Sequence, residues 1–353
     1  MKMKMKMFFL RMVLYAALFL LPVLTAGCHD GGWSLPLIGT GKPPEGLSLP
    51  TAEGSKKGEK EVNPDDLYIL YYPDIDNRFL VPVTRKITPT ETIARSVIEK
   101  LIATSKDDPE LSKAKLYPPI PPNTMVRGLA VEDGLATLNL SASFLTYPPE
   151  AERLVLGSIC GSLRQFENIE RVQITVEGVE IDEFPGGTPG LDPFEKEDMM
   201  INPEIDDDVG DYRDTTALTV YFAHAGRGCV LYVPVTRVLS GPPVEAAAKA
   251  SLEELLSGPR HRSGLYSDIP PATGLLGFEI EDGTAIVNLS GEFAGYRGGK
   301  SGEENALKLI ALTLTACEAI DEVKILVAGE EVTLPDGADL SLPLSRPEWI
   351  NCL

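Results

Sequence analysis

Val81-Pro82-Val83-Thr84-Arg85 recurs, residue for residue, as Val233-Pro234-Val235-Thr236-Arg237, an offset of 152. Outward from this pentapeptide, Ile120-Pro121-Pro122 returns as Ile269-Pro270-Pro271 at an offset of 149. Val131-Glu132-Asp133-Gly134 through Asn139-Leu140-Ser141 returns as Ile280-Glu281-Asp282-Gly283 through Asn288-Leu289-Ser290, again at 149. Phe144 and Phe293 keep that spacing. Ile169-Glu170-Arg171-Val172 aligns with Ile320-Asp321-Glu322-Val323 at 151, and Ile201-Asn202 with Ile350-Asn351 at 149. The offset changes fall in loops, where insertions are tolerated. So many matches in the same order make this a tandem duplication.

Each copy has the same pattern. Leu67 to Tyr72 and Ala217 to Phe222 are short aliphatic and aromatic strands. A turn (Pro73 to Asn77, His224 to Gly228) leads into a second strand ending in the pentapeptide. The proline there cannot donate to a ladder, which places that strand at an edge or leaves its N–H side free. Ile93, Val97, Ile98, Leu101 and Ile102 recur at helical spacing, as do Val244, Ala248, Leu252, Leu255 and Leu256. A proline-bearing loop follows, then a hairpin whose Asp-Gly tip suits a two-residue turn requiring positive φ. A second amphipathic helix carries Ala151, Leu154, Val155, Ile159, Leu163 and Phe166, or Leu307, Ile310, Ala311, Leu314 and Cys317. Val172 to Val176 and Val323 to Val327 close the units. The expected architecture is α+β: two tandem ββαββαβ domains, each a small sheet with two helices packed on one face.

The 353 residues suffice for two such cores. With 43% hydrophobic and 24% charged residues the chain is globular in composition. A formal net charge of −20 argues against nucleic acid and against a polybasic grip on anionic lipid. Membrane attachment is expected from the N-terminus instead. Lys2, Lys4, Lys6 and Arg11 precede an apolar run from Met12 to Val23, the pattern of a secretory signal. It ends in Leu24-Thr25-Ala26-Gly27-Cys28, which resembles a bacterial lipobox with Thr25 where leucine is usual. The expectation is a signal peptide over 1–27, lipid on Cys28, and an extracytoplasmic chain anchored to the cell membrane. Residues 28–65 are expected to form a flexible tether, 66–182 the first domain and 183–214 an acidic Gly/Pro linker partly docked on it. Residues 215–353 make the second domain with a C-terminal extension. The spacing of Cys160, Cys229, Cys317 and Cys352 suggests no disulfide framework and leaves their pairing open.

Four features of the sequence bear on chemistry. Gly295-Tyr296-Arg297-Gly298-Gly299-Lys300-Ser301 follows a strand and precedes a helix, but Ala294 stands where a phosphate-cradling loop needs its first glycine. A surface loop accounts for it better. Glu132/Asp133 and Glu281/Asp282 sit at hairpin tips, where turn chemistry explains them without acid–base catalysis. Asp206 to Asp208, Asp211 and Asp214 miss the alternating ligand pattern of a calcium loop and read as solvated linker. Arg260, His261 and Arg262 form a local basic cluster in the loop after the first helix of the second copy, either solvated charge or a contact to an acidic partner. No catalytic, cofactor-binding or metal-binding residue is identified.

The Val-Pro-Val-Thr-Arg strand, the helix ending Glu253-Glu254-Leu255-Leu256-Ser257-Gly258-Pro259, the Ile-Pro-Pro loop and the hairpin with Glu-Asp-Gly and Asn-Leu-Ser together resemble the GerMN domain. In the first copy Thr104-Ser105-Lys106 replaces Ser257-Gly258-Pro259. The tandem behind a lipoprotein signal resembles the GerMN-domain lipoproteins of endospore-forming bacteria. That resemblance implies likeness to the ring-building motif of secretion-system rings and of the mother cell–forespore channel. It also implies a role between the two forespore membranes, with no catalytic residue to carry over. The expected function is thus a non-catalytic envelope lipoprotein of spore formation or germination. Its expected partners are the membrane, reached through the lipid, sporulation channel or envelope proteins, and further copies of itself. The alternative, a binding module for cell-wall glycan or a small ligand, predicts a concave polar–aromatic pocket between the domains.

Overall fold

A computed structural model describes residues 66–88, 92–104, 106, 108–205, 215–240, 247–295, 298–351 and 353. The signal segment, Cys28, the tether, the Asp206–Asp208 run with Asp211 and Asp214, Tyr296-Arg297 of the glycine-rich loop and Cys352 lie outside the described residues.

In the first copy β1 (Leu67–Pro73) and β2 (Leu80–Lys86) form an antiparallel hairpin in register Leu67↔Lys86 to Pro73↔Leu80. Asp74 sets its turn by accepting the N–H groups of Arg78 and Phe79 at 2.6 and 2.8 Å. α1 (Ile93–Lys100) follows, burying Val97 and Ile98. The proline-bearing loop holds a helix that periodicity did not reveal, α2 (Pro109–Ala114). It is capped by Asp108, whose carboxylate accepts the N–H groups of Glu110 and Leu111, and it starts on a proline whose missing N–H costs nothing at that position. β3 (Val126–Glu132) and β4 (Leu135–Leu140) make the second hairpin. Its tip is Asp133-Gly134, with φ of +48° and +78°, as the Asp-Gly pair demands. α3 (Glu152–Leu163) crosses to β5 (Arg171–Val176), which pairs parallel with β4, and β6 (Val179–Glu180) turns back antiparallel on β5.

After β7 (Pro203–Ile205), the second copy repeats the order: β8 (Thr215–Ala225), β9 (Val230–Ser240), α4 (Ala247–Ser257), β10 (Leu275–Glu281), β11 (Thr284–Leu289), α5 (Gly299–Leu314) and β12 (Glu322–Val327). β11 and β12 are parallel, and β13 (Leu344–Ser345) adds antiparallel to β12. The Asp282-Gly283 tip repeats φ of +48° and +80°. The fold is therefore two tandem α+β units of ββαββαβ order, with hydrogen bonding dividing the strands of each unit between a long hairpin and a mixed sheet.

α3 packs against β1, β2, β5 and α1, and α5 against β8, β12 and α4. A helix between hairpin and sheet is covered on most sides, so Leu154, Val155, Leu156, Ile159, Cys160 and Leu163 are all buried. Its two buried serines have a use. Ser162 accepts the Tyr71 N–H at 3.0 Å and Ser158 donates to the Tyr71 carbonyl, while Gln165 both accepts from and donates to Ile69 at 2.8 Å. The outer edge of β1 is thereby satisfied by a helix instead of a strand. In the second copy Thr313 accepts the Tyr221 N–H at 3.0 Å in the same way. Phe184, Phe194 and Met199, beyond the last strand of the first copy, are buried, and Phe194 bridges Val172 on β5.

Candidate functional site

The repeated pentapeptide lies where the two copies meet. β2 and β9 approach along the edges turned away from β1 and β8. The N and C=O of one strand residue point to the same side, so the prolines 82 and 234 present their missing donors here and interrupt neither hairpin ladder. The groove between the strands is filled by two tails. Asn202 accepts the Leu80 N–H at 2.8 Å and donates to the carbonyls of Leu80 and Pro234, both at 2.8 Å. Asn351 accepts the Tyr232 N–H at 2.6 Å and donates to the carbonyls of Tyr232 and Pro82, both at 2.7 Å. Each asparagine thus holds the pentapeptide strand of its own copy and reaches across to the other.

The residues before them cross completely. The Ile350 carbonyl accepts the Thr84 N–H at 2.8 Å, and the Ile350 N–H donates to the Thr84 hydroxyl at 2.8 Å. The Ile201 carbonyl accepts from the Thr236 N–H at 3.1 Å and from its hydroxyl at 2.8 Å. The joint has approximate two-fold symmetry, with each copy's tail seated on its neighbour. Both asparagines are buried and lie in the left-handed region, with φ of +48° and +51°, which Asn tolerates better than most residues. This explains why Val-Pro-Val-Thr and Ile-Asn return in both copies.

The pentapeptide's arginines brace the joint from behind. Arg237 is buried. It contacts the Glu204 carboxylate at 3.1 Å and that of Glu254 at 2.5 Å, donates to the Gly258 carbonyl at 2.7 Å, and lies over the Phe222 ring. It therefore ties β9 to the end of α4 and to β7, which pairs parallel with Thr236–Val238. Arg85 does the corresponding work for α2, meeting Asp108 at 3.0 Å and Glu110 at 2.6 Å. Of the basic cluster singled out in sequence, Arg260 turns inward, contacting Glu204 at 3.3 Å and donating to the Ile205 carbonyl at 3.2 Å. His261 and Arg262 are exposed beside it. The three do not converge on one outward site.

Sequence reasoning passed over Glu152 and Glu303, buried carboxylates at or near the starts of α3 and α5. Glu152 accepts the N–H groups of Gly186 and Thr188 and the Tyr147 hydroxyl. Glu303 accepts those of Asp336 at 2.7 Å and Ala338 at 3.2 Å. Each pins the loop that launches a tail toward the joint. Gly186 is required by close approach, since an added Cβ would stand 2.6 Å from the Pro149 carbonyl oxygen. The shared offset of 151 and an acid within an apolar helix were the available signals. Asn139 and Asn288, of the Asn-Leu-Ser repeats, accept the N–H groups of Gly178 and Gly329 at 2.8 Å. Ser141 and Ser290 take those of Met125 and Gly274 at 2.9 Å. These shared polar residues go into corners and clamps.

Among the described residues no group of three or more His, Cys, Asp or Glu side chains is placed to hold a metal ion, and no helix is long and apolar enough to cross a membrane. Of the carboxylates at the hairpin tips, Asp133 and Asp282 lie in the turns and Glu132 and Glu281 end the strands that enter them. Burial pushes the Cys160 thiol up to about 12, leaving it protonated at neutral pH. Also among the described residues, no strand pairs with the outer edge of β3 or β10. Leu276 and Ile280 on β10, and Met125 just before β3, are exposed. The β5 and β12 edges are covered in part by β6 and β13.

The chain matches the Germane model, described as sporulation and spore germination, twice, over residues 69–182 and 219–333. It is 30% identical over 287 residues to the spore germination protein GerM of Bacillus subtilis (strain 168), covering 80% of this chain and 77% of that one. The solved tandem GerMN domains of GerM from Bacillus subtilis superpose with a TM-score of 0.68 at 28% identity, covering 81% of this chain and 99% of that one. The separately solved first GerMN domain of the same protein covers 37% of this chain and 98% of its own, at 27% identity and a TM-score of 0.34. Two matched units joined by the motifs they share make this chain a member of the Germane family of sporulation and spore germination.

Proposed function

We propose that this protein is a non-catalytic, lipid-anchored scaffold of the cell envelope, a structural component or adaptor of a ring-like channel assembly built during spore formation. Family membership supports a role in sporulation and germination. The finer reading draws on how the shared residues are used. The pentapeptides, the Ile-Asn tails, the buried glutamates and the Asn-Leu-Ser corners serve the fold and the joint. What a scaffold needs besides a rigid body is an outward contact surface. The unpaired β3 and β10 edges, one per copy, supply two. Unpaired edges accept another strand or a packed helix, and two of them on one rigid body favour head-to-tail association.

The test is genetic and structural together. In a spore-forming host, loss of the gene is expected to lower spore yield or germination, and Cys28→Ala to release the protein from the membrane. A photo-crosslinking residue in place of Arg127 on β3 or Glu279 on β10 is expected to capture channel proteins or a second copy. Normal sporulation without the gene, or crosslinks confined to other faces, would reject the scaffold reading.

A further inference from the structure

The first copy serves as an internal control for the second: a polar feature present in only one of two copies of a shared fold is not required by that fold. One such feature stands out. In the first copy Leu80 on β2 lies against Gly157 of α3, and Leu80, Leu154 and Gly157 are all buried. The fit is tight enough that a Cβ on Gly157 would stand 2.9 Å from Leu80 Cδ1. The equivalent positions in the second copy are Tyr232, Asn305 and Lys308. Here the Tyr232 hydroxyl donates to Asn305 Oδ1 at 2.6 Å, and Asn305 Nδ2 donates to the Asp268 carboxylate at 3.0 Å. Lys308 lies over the Tyr232 ring with its ammonium 5.8 Å from the centroid. Trp349 stands where the first tail has Met200.

Beside these residues lies a recess of about 720 Å³, walled also by the Ala225–Leu231 end of the β8–β9 hairpin. Tyr232, Tyr266 and Trp349 line it together with Asn305, Glu304 and Lys308. A polar chain in place of apolar packing carries a desolvation cost that the first copy avoids, so it needs a different reason. Aromatic surface beside an amide, a carboxylate and an ammonium supplies both an apolar face and directional donors and acceptors. The volume is that of a small-molecule site.

We propose that this recess binds a short oligosaccharide, its pyranose rings lying on the Tyr266 and Trp349 side chains and its hydroxyls meeting Glu304 and Lys308. The site belongs to the second copy alone, not to the space between the copies. It goes beyond the channel reading and is independent of it.

Trp349 offers a direct readout because the chain has only one other tryptophan, Trp33. In the full-length protein carrying Trp33→Phe, titration with the tetramer of N-acetylglucosamine is expected to change tryptophan emission saturably. The combined Tyr232→Leu and Asn305→Leu exchange, which installs the first copy's own residues, is expected to weaken binding at least tenfold while the protein keeps its thermal transition. The exposed Lys308→Ala is expected to weaken it several-fold, which keeps the test alive should the double variant fold poorly. No saturable change up to about 10 mM, tenfold above a millimolar dissociation constant, or a response unaltered in both variants, overturns the proposal.

Discussion

Asn202 and Asn351 each satisfy three backbone groups with one buried side chain, in a backbone conformation that few other residues accept. In Asn351→Ala the Tyr232 N–H and the carbonyls of Tyr232 and Pro82 lose their partners inside the protein. Leaving such groups buried costs far more than a hydrogen bond contributes net, so the loss is expected to be about 2–4 kcal/mol in denaturant unfolding. Asn202→Ala is expected to match it, because the symmetry assigns both residues the same work. Ionisation sets a second expectation at this scale. Burial pushes Cys160 from 9.0 up to about 12, and Tyr72 from 10.0 up to about 12 despite the Arg85 charge beside it. Both groups are neutral in the native state below these values, so stability is fully present below about pH 9. Above pH 9 the unfolded chain ionises first, and stability falls as pH rises toward 12. Thermal melts from pH 7 to 11 should be flat and then decline, and Cys160→Ala should soften the decline from its lower end.

At the scale of elements, Arg237 joins β9, α4 and β7 through one guanidinium. Arg237→Met keeps an unbranched apolar stem but takes the guanidinium from the Phe222 ring and leaves Glu204 and Glu254 without their principal buried cation. Removing one partner from a buried pair is expected to cost about 3–5 kcal/mol. A stability curve for Arg237→Met beside that for the more exposed Arg85→Met should show the larger loss for Arg237. The elements readable in sequence were those with a period of their own: the hairpins with Asp-Gly tips, and the helices with apolar faces. α2, β7 and β13 were not readable. Each spans six residues or fewer, and each strand among them exists only because a tail arrives beside a strand distant in sequence. Glu152 and Glu303 were overlooked for a related reason. A carboxylate in an apolar helix is explained only once the loop that it pins is in place. That the prolines of β2 and β9 turn their missing N–H away from the hairpin partner, by contrast, followed from sequence, although β9 is no edge strand because β7 pairs with it beyond Pro234.

For the molecule as a whole, the duplication was plain in the sequence, whereas the exchange of tails was not. The repeated Ile-Asn pair marked both tails without revealing that each would rest on the other copy, since the bonds concerned link residues as far apart as Thr84 and Ile350. The arrangement has a mechanical consequence. β7 and β8 flank β9 on opposite sides, so the nine residues from 206 to 214 connect ends only about 10 Å apart, two strand spacings. Continuity of the chain there adds little to a joint already held by two buried asparagines and two crossed isoleucine–threonine pairs. A protease site inserted between Ile205 and Thr215 should therefore yield two fragments that co-elute after cleavage and unfold in one transition. The same cleavage in a chain carrying both Asn202→Ala and Asn351→Ala should release them as separate species. Spontaneous separation of the unmodified halves would mean that the connecting segment, and not the tails, keeps the copies together, and the rigid two-edged body on which a scaffold depends would lose its physical basis.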